Sequence, residues 1–333
     1  MEALSNFFSI FLDLPANWHH YIGQHFANDP RVKDWPLMGG AHVPIVLMVG
    51  YVAMIVYGPG YMESRKPVDL KPIMRIYNFT QVVVSAYIFS EFATLLAFGP
   101  YALKCSAVDR SEKPHAMRMA RAVWLFMLSK MIDLLDTVFL ILRKKYSQIS
   151  FLHVYHHCSM VANFWGAAYM APGGHTYIIG LFNSLVHVVM YTYYYMASLG
   201  PRFQKYLWWK RYLTQLQLAQ FFTMMFLTCE GLYNQCNFPP VFLWWVMAYL
   251  TSLVILFSNF YIQEYIKRRR GEGFVTYVKT IMDNGGSMRT LCIQKVDESN
   301  SHSAAPTVAP SNGTIITNGA GAHQAINGCK KVN

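Results

Sequence analysis

The chain of 333 residues is 54% hydrophobic and 16% aromatic, with 14% charged residues and a net charge of +11. Soluble domains carry about 25% charged residues, so the composition excludes an ordinary soluble enzyme and requires most of the chain to face lipid or to pack inside a bundle. The basic excess sits in short loops between apolar stretches, which is the pattern of a multi-span membrane protein and not of a nucleic-acid-binding patch.

The first forty residues contain Asp13, His19, His20, Asp29 and Asp34. No basic start leads into an apolar run, so no cleavable leader is expected. Residues 1–42 read as a luminal segment. About 20 apolar residues cross a hydrocarbon core, and seven such spans follow, over 43–62, 77–98, 119–142, 150–170, 176–198, 208–230 and 241–264. The expected fold is an all-α membrane protein with a seven-helix domain over 43–270. Ala171-Pro172-Gly173-Gly174 is a turn between the fourth and fifth spans, and Pro239-Pro240 blocks continuation of the sixth into the seventh.

Arg65, Lys66, Lys71 and Arg75 follow the first span, and Arg143, Lys144 and Lys145 the third. Arg202, Lys205, Lys210 and Arg211 follow the fifth, and Lys267–Arg270 the seventh. This alternation puts the N-terminus in the lumen and the C-terminus in the cytosol. One loop runs against it: Lys104, Arg110, Lys113 and Arg118 lie where a luminal loop is needed. Residues 271–333 read as a cytosolic, largely disordered tail, rich in Ser, Asn, Gly and Ala over 298–328. Lys330 and Lys331, fourth and third from the end, resemble a dilysine retrieval signal of the endoplasmic reticulum, an address and not an anchor.

The third span carries Lys130, Asp133 and Asp136. Three bare charges at mid-membrane cost roughly 8–10 kcal/mol, against roughly 6 returned by the apolar residues around them. They must therefore pair, and their i, i+3 spacing allows it. Such pairing can be purely structural, or it can orient neighbouring groups. In the fourth span His153, His156 and His157 share one helix face. At 1.5 Å per residue, Asp136, the three histidines, His187, Gln217 and Gln220 all fall roughly 6–17 Å inside the cytosolic boundary. With Asn183 and Asp133, polar groups from four helices form one layer, as expected of a functional cavity. Membrane di-iron desaturases and hydroxylases also use His-x-x-His-His. They require several such boxes, however, and the remaining nine of twelve histidines here are scattered. A non-enzymatic seven-span receptor or transporter would fit the composition, but would not need this box stacked against buried acids.

Four stretches resemble the ELO family of very-long-chain fatty-acid elongases, the 3-ketoacyl-CoA synthases of the endoplasmic reticulum. They are Lys130-x-x-Asp133-x-x-Asp136-Thr137, Phe151-Leu-His153-Val-Tyr-His156-His157, Asn183-x-x-x-His187-Val-Val-Met190-Tyr191-Thr-Tyr193-Tyr194 and Thr214-x-x-Gln217-x-x-Gln220. One departure is Asp133, where the family usually has Glu, one methylene longer. The resemblance covers roughly residues 25–270. It implies seven helices, six of them forming a barrel around an acyl tunnel closed at the luminal end. The implied reaction joins malonyl-CoA to a long-chain acyl-CoA, giving 3-ketoacyl-CoA, CO2 and CoA through an acyl-histidine.

Imidazole suits this step because its neutral form is nucleophilic and its tautomer can be fixed by a partner. The residues alone leave His156 and His157 equivalent; place in the motif favours His156 as nucleophile, with His187 facing it. His153, His157, Asp133, Asp136, Asn183, Gln217 and Gln220 would orient these or hold the thioester and the malonyl carboxylate. Lys130, Arg143, Lys144, Lys145, Tyr191 and Lys205, with Arg202, Lys210 and Arg211, are candidates to hold CoA. No permanently bound cofactor and no metal is expected. The resemblance further implies a disulfide between Cys105 and Cys236 in luminal loops, with Cys158 and Cys229 reduced. It also implies partnership with the ketoacyl-CoA reductase, dehydratase and enoyl-CoA reductase of the elongation cycle, and with a second copy of the chain, in the lipid bilayer. Neither sequon, at Asn78 or at Asn312, is expected to be glycosylated. Gln148 resembles the branch of the family that handles longer or polyunsaturated chains.

Overall fold

The computed structural model describes residues 27–267, 276–282 and 288–294. The chain divides into two compact units, one ending at Tyr265 and one beginning at Ile266. The first unit is helical: α1 His42–Met62, α2 Lys71–Phe98, α3 Pro114–Ile132, α4 Leu135–Leu142, α5 Phe151–Met170, α6 Thr176–Ser198, α7 Lys210–Tyr233 and α8 Pro240–Tyr261, the last running into a π turn, Ile262–Lys267. Most expected spans stand within a few residues of these bounds. α2 and α3 begin five or six residues early because Pro72 and Pro114 occupy the first turn, where proline's missing N–H costs nothing. At α5 the Ser150 side chain accepts from the His153 amide at 3.2 Å, a local N-cap.

The expected third span is not one helix. It breaks at Asp133–Leu134 into α3 and α4. Around the break the amides of Leu134, Asp136 and Thr137 reach back three residues and not four, to the carbonyls of Met131, Asp133 and Leu134. The tighter winding rotates the acidic side chains relative to a continuous helix.

α2 packs most extensively on α6 and also on α3, α3 on α5, and α7 on α8 and α6; the contact between α5 and α8 is thin, and α1 lies against α4 and α5. The principal core joins Phe92, Phe126, Phe164 and Tyr177, with the Phe126 and Phe164 rings edge-to-face at 4.5 Å. Three helices, α1, α2 and α8 with its π turn, are long and apolar enough by themselves to cross a bilayer. Large apolar side chains stay exposed on them, among them Val46, Val49, Ile76, Trp245 and Ile255. Such a surface suits lipid and not water, and the chain is a multi-pass membrane protein. Among the other described helices α4 is too short, with eight residues, and α3, α5, α6 and α7 carry polar or charged side chains that lower their hydropathy.

Residues 27–41, assigned from sequence to a luminal segment, supply Val32 and Met38 to the core. They are pinned by charge. Asp29, fully buried, receives Arg31 on both oxygens at 2.9 Å and Arg110 at 3.0 Å. Arg31 also donates to the carbonyl of Asp109 at 2.6 Å, and Arg110 to that of Met170 at 2.8 Å. A hydrogen bond from the Ser111 amide holds the Asp109 carboxyl below its usual pKa. Arg118 binds Glu91 of α2 in bidentate fashion, at 2.6 and 3.1 Å. Two of the four cations that ran against the topology rule are thus internal ion-pair partners.

At the same end Gly173 and Gly174 turn α5 into α6 with φ of +140° and +57°. A Cβ on Gly174 would meet the Ser106 carbonyl at 2.9 Å. Cys105, between α2 and α3, and Cys236, between α7 and α8, form a disulfide with Cα atoms 5.8 Å apart.

The second unit adds two strands within the segment that reads as a cytosolic, largely disordered tail. Thr276–Met282 and Met288–Gln294 form a two-stranded antiparallel sheet, with Thr276 opposite Gln294 and Met282 opposite Met288. Both strands are rich in β-branched residues, and the sequence between them, Asp283-Asn284-Gly285-Gly286-Ser287, is turn-forming in composition. The sequon Asn312 and Lys330-Lys331 lie outside the described residues.

Asp29→Ala leaves Arg31 buried without its counter-charge and is expected to cost about 3–5 kcal/mol. Asp69→Ala, which removes a pair whose partners are 69% and 70% exposed, should cost less than about 1 kcal/mol. Thermal unfolding of the two variants in detergent measures the difference.

Candidate active site

Two linked groups of polar side chains occupy the middle of the first unit. The first is built at the α3–α4 break. The buried Lys130 ammonium donates to Asp133 Oδ2 at 2.9 Å and approaches His187 Nδ1 at 3.1 Å. Asp133 Oδ1 accepts from Gln81 Nε2 at 2.5 Å and from the Tyr191 hydroxyl at 2.9 Å. That hydroxyl also lies 3.0 Å from Asp136 Oδ2. A phenol has a single hydrogen to give, so the two carboxylates must share a proton between them or take turns with this one. The Tyr77 ring packs edge-on against Tyr191 at 6.1 Å. Buried charges survive only when paired and hydrogen-bonded, and here the pairing links α2, α3, α4 and α6.

The histidine box divides its tasks. His153 Nε2 meets the Thr137 hydroxyl at 2.7 Å, and Thr137 in turn meets Tyr51 at 2.8 Å, so α1 supports this helix from outside. His157 packs between His153 and His156, with ring centroids 4.4 and 5.6 Å away. His156 alone of the three lines the large cavity, about 460 Å³, enclosed by α5, α6, α7 and α8. This volume lies in the range of small-molecule sites, about 300–1,000 Å³. Along α5 the cavity runs from His156 to Met170, about 21 Å at 1.5 Å per residue. Its walls are apolar, with Met160, Phe221, Met224 and Leu250 among them, and His175, Phe238 and Phe242 also line it.

Beside His156 the cavity is lined by Asn183 and Gln220. Asn183 Oδ1 and Gln220 Nε2 are buried with no hydrogen-bond partner among the described residues. One free acceptor and one free donor thus share the lining of an apolar cavity with the His156 imidazole. Unsatisfied buried polar groups are costly, and a polar-headed, apolar-tailed ligand would satisfy both.

The expected site residues are therefore distributed. Asp133, Asp136, His187, Lys130 and Tyr191 meet in one cluster. His187 lies near enough to His156 for electrostatic interaction, but it does not line the cavity; α6 contributes Thr176, Ile179 and, one turn before His187, Asn183. Gln217 contacts Met190 Sδ at 3.8 Å and does not line the cavity. Lys130 and Tyr191, candidates for CoA, are buried within the carboxylate cluster. The other cationic candidates gather at one end of the bundle. Arg143 is half-buried, Lys144 donates to the Glu63 carbonyl at 3.1 Å, Lys210 pairs with Glu264 at 3.3 Å, and Lys205 and Arg202 are exposed. Sequence reasoning missed Gln81 and Tyr77. Their signal was present, since Asn78, Gln81 and Ser85 form a buried polar stripe on the otherwise apolar α2. Among the described residues no group of three His, Cys, Asp or Glu side chains is placed to hold a metal ion.

The chain is 44% identical over 256 residues to a very long chain fatty acid elongase of Aedes aegypti, covering 76% of this chain and 71% of that protein. It is 40% identical over 259 residues to very long chain fatty acid elongase 4 of Homo sapiens, covering 78% and 82%. It is 40% identical over 262 residues to very long chain fatty acid elongase 1 of Mus musculus, covering 78% and 93%. The family model that matches residues 36–273 spans every helix described above, and the chain belongs to the ELO: GNS1/SUR4 family.

Proposed function

We propose that the protein catalyses the condensing step of very-long-chain fatty-acid elongation, with His156 as the acyl-carrying nucleophile. The single observation carrying this reading is the cavity: a long apolar slot whose lining holds an imidazole, a free donor and a free acceptor. A ring nitrogen of His156 attacks the thioester carbonyl of an acyl-CoA, the carbon–sulfur bond breaks, and CoA leaves as its thiol with the ring proton. The acyl chain lies along the cavity and the acyl-imidazole remains at its head. Malonyl-CoA then loses CO2, and the resulting enolate carbon attacks the acyl carbonyl. The imidazole leaves and recovers a proton, and 3-ketoacyl-CoA is the product. The Gln220 amide is positioned to donate to the oxygen that becomes negative in each addition. Asn183 orients the acyl group or the malonyl unit. The Lys130–Asp133–His187 cluster holds a polarising charge behind the wall, near enough to act on the enolate through His187.

The order of helix contacts, α2–α3–α5–α8–α7–α6 and back to α2, supports a six-helix barrel with α1 outside it. The end with His175 and the disulfide is then luminal, and the end with Arg143–Lys145 and Arg202–Arg211 is cytosolic and receives CoA. Residence in the endoplasmic reticulum with a cytosolic C-terminus fits this orientation and the dilysine ending. The reductases and dehydratase that process 3-ketoacyl-CoA are the natural partners in that membrane.

Incubating purified protein with acyl-CoA alone should give an acyl adduct that mass spectrometry maps to His156. His156→Ala should abolish it and lower condensation of labelled malonyl-CoA by at least about 100-fold; an adduct on His157 or elsewhere would overturn the assignment. Gln220→Met removes a group that has no partner in the free protein, so the unfolding temperature should hold or rise. Its turnover number should nonetheless fall by about 100-fold, the size of effect seen when one donor to a developing oxyanion is removed. Replacing Lys330 and Lys331 by Ser should shift a tagged chain to later secretory compartments; unchanged microscopic distribution would remove the retrieval reading.

A further inference from the structure

A second cavity, about 310 Å³, lies at the cationic end between the first turns of α2, the residue after α4 and the end of α6. Lys71, Arg75 and Arg143 line it, the rest of its wall is Met74 and the 197–201 segment, and none of the lining residues is acidic. Arg75 Nε donates to the Ser198 carbonyl at 3.0 Å, and Arg143 Nη1 points at Met74 Sδ at 3.2 Å, a weak acceptor. Both guanidiniums are half-buried and keep most of their donors. Neither has a carboxylate partner among the described residues. The nearest acid to Lys71 is Asp69, 3.7 Å away and 70% exposed, a pair that solvent screens to little.

A cytosolic-facing loop explains why cations are numerous at this end. It does not explain why Arg75 and Arg143, neither of them paired with a carboxylate, converge beside Lys71 on one concavity whose lining holds no acid, an arrangement in which the guanidiniums repel each other until an anion enters. The amino end of the 28-residue α2 stands beside the cavity and adds some dipole field, although its first amide, that of Lys71, already donates to Asp69 Oδ1 at 3.2 Å. The carboxyl end of α6 would oppose an anion, but Arg75 caps it. Gly200, at φ +107°, turns the chain away and leaves open space where a side chain would stand. The volume exceeds that of a bare ion and suits a phosphorylated ring or headgroup.

We propose that this cavity is a phosphate-ester site, with Arg75 and Arg143 as its planar, fork-shaped donors and Lys71 as a mobile point charge. The ester can come from the nucleotide end of a CoA thioester or from an anionic phospholipid headgroup. The site includes Lys71 and Arg75, which no earlier argument assigned to a ligand; its nucleotide arm rests on the condensation reading, and a readout of binding alone separates failure of the site from failure of that reading.

The test uses the full chain in neutral detergent micelles with two probes, adenosine 3′,5′-bisphosphate and phosphatidic acid, and with phosphatidylcholine as the uncharged control. At least one charged probe should bind. Lys71→Gln combined with Arg143→Gln should weaken that binding by about tenfold or more, while Arg75→Lys, which keeps the charge but loses the fork, should weaken it less. Should the double variant unfold, Lys71→Gln alone, at an exposed position, should still weaken binding by about threefold. Loss confined to the bisphosphate assigns the site to a nucleotide; loss confined to phosphatidic acid assigns it to lipid. If neither probe binds above the control, or if the folded variants bind like the parent, the site does not exist.

Discussion

The structure depends on one ion pair. Lys130 and Asp133 meet at 2.9 Å inside a helix that apolar residues alone could not carry into the bilayer. Removing charges from water is so costly that the protein must surround them with partners. The partners come from every direction: Gln81 from α2, Tyr191 and His187 from α6, and Asp136 from just past the break. Satisfying Asp133 therefore fixes where α2, α3, α4 and α6 stand relative to each other. The break at Asp133–Leu134 is part of the solution, because it lets two acids three residues apart reach the same phenol.

The same arrangement separates positioning from chemistry. Of three histidines on one helix face, His153 is taken up by Thr137 and Tyr51, and His157 fills the space between rings. That leaves His156 at the cavity with Asn183 and Gln220. A box that reads as one cluster in sequence becomes a graded series, from a hydrogen-bonded anchor to a side chain whose surroundings are incomplete without a ligand. The two ends of the bundle differ in the same spirit. One is tied together by the Asp29–Arg31–Arg110 network and a disulfide, and the other is cationic.

Much of this was legible in the sequence because membrane insertion imposes strong rules. The seven apolar stretches, the prolines at Pro239-Pro240 and the glycine turn at 173–174 fix most helix bounds. The cost of Lys130, Asp133 and Asp136 forces their pairing before any coordinates are seen. What was not legible depends on rotation and distance across helices. Nothing in the periodicity of 119–142 marks the tighter winding at Asp133. Nor does it reveal that Asn183, and not His187, shares a wall with His156. Asp29 and Arg31 fall within what reads as a luminal segment, and their two-residue spacing does not reveal a buried pair that is completed by Arg110 some eighty positions later. The paired strands at 276–294 were overlooked because the Ser, Asn and Gly of the following segment dominated the reading of the whole tail.

The unpartnered amide of Gln220 and carbonyl of Asn183 have a bearing on how this protein is handled as a material. A molecule that leaves buried polar groups unsatisfied when empty gains stability whenever something fills the slot, by an amount that grows with the logarithm of ligand concentration. On the condensation mechanism proposed above, the fatty substrate is in that sense a structural component, present for part of each cycle. Preparations stripped of lipid and thioester should be the most fragile ones, and long-chain analogues that stall in the slot should be the best stabilisers for purification and crystallisation.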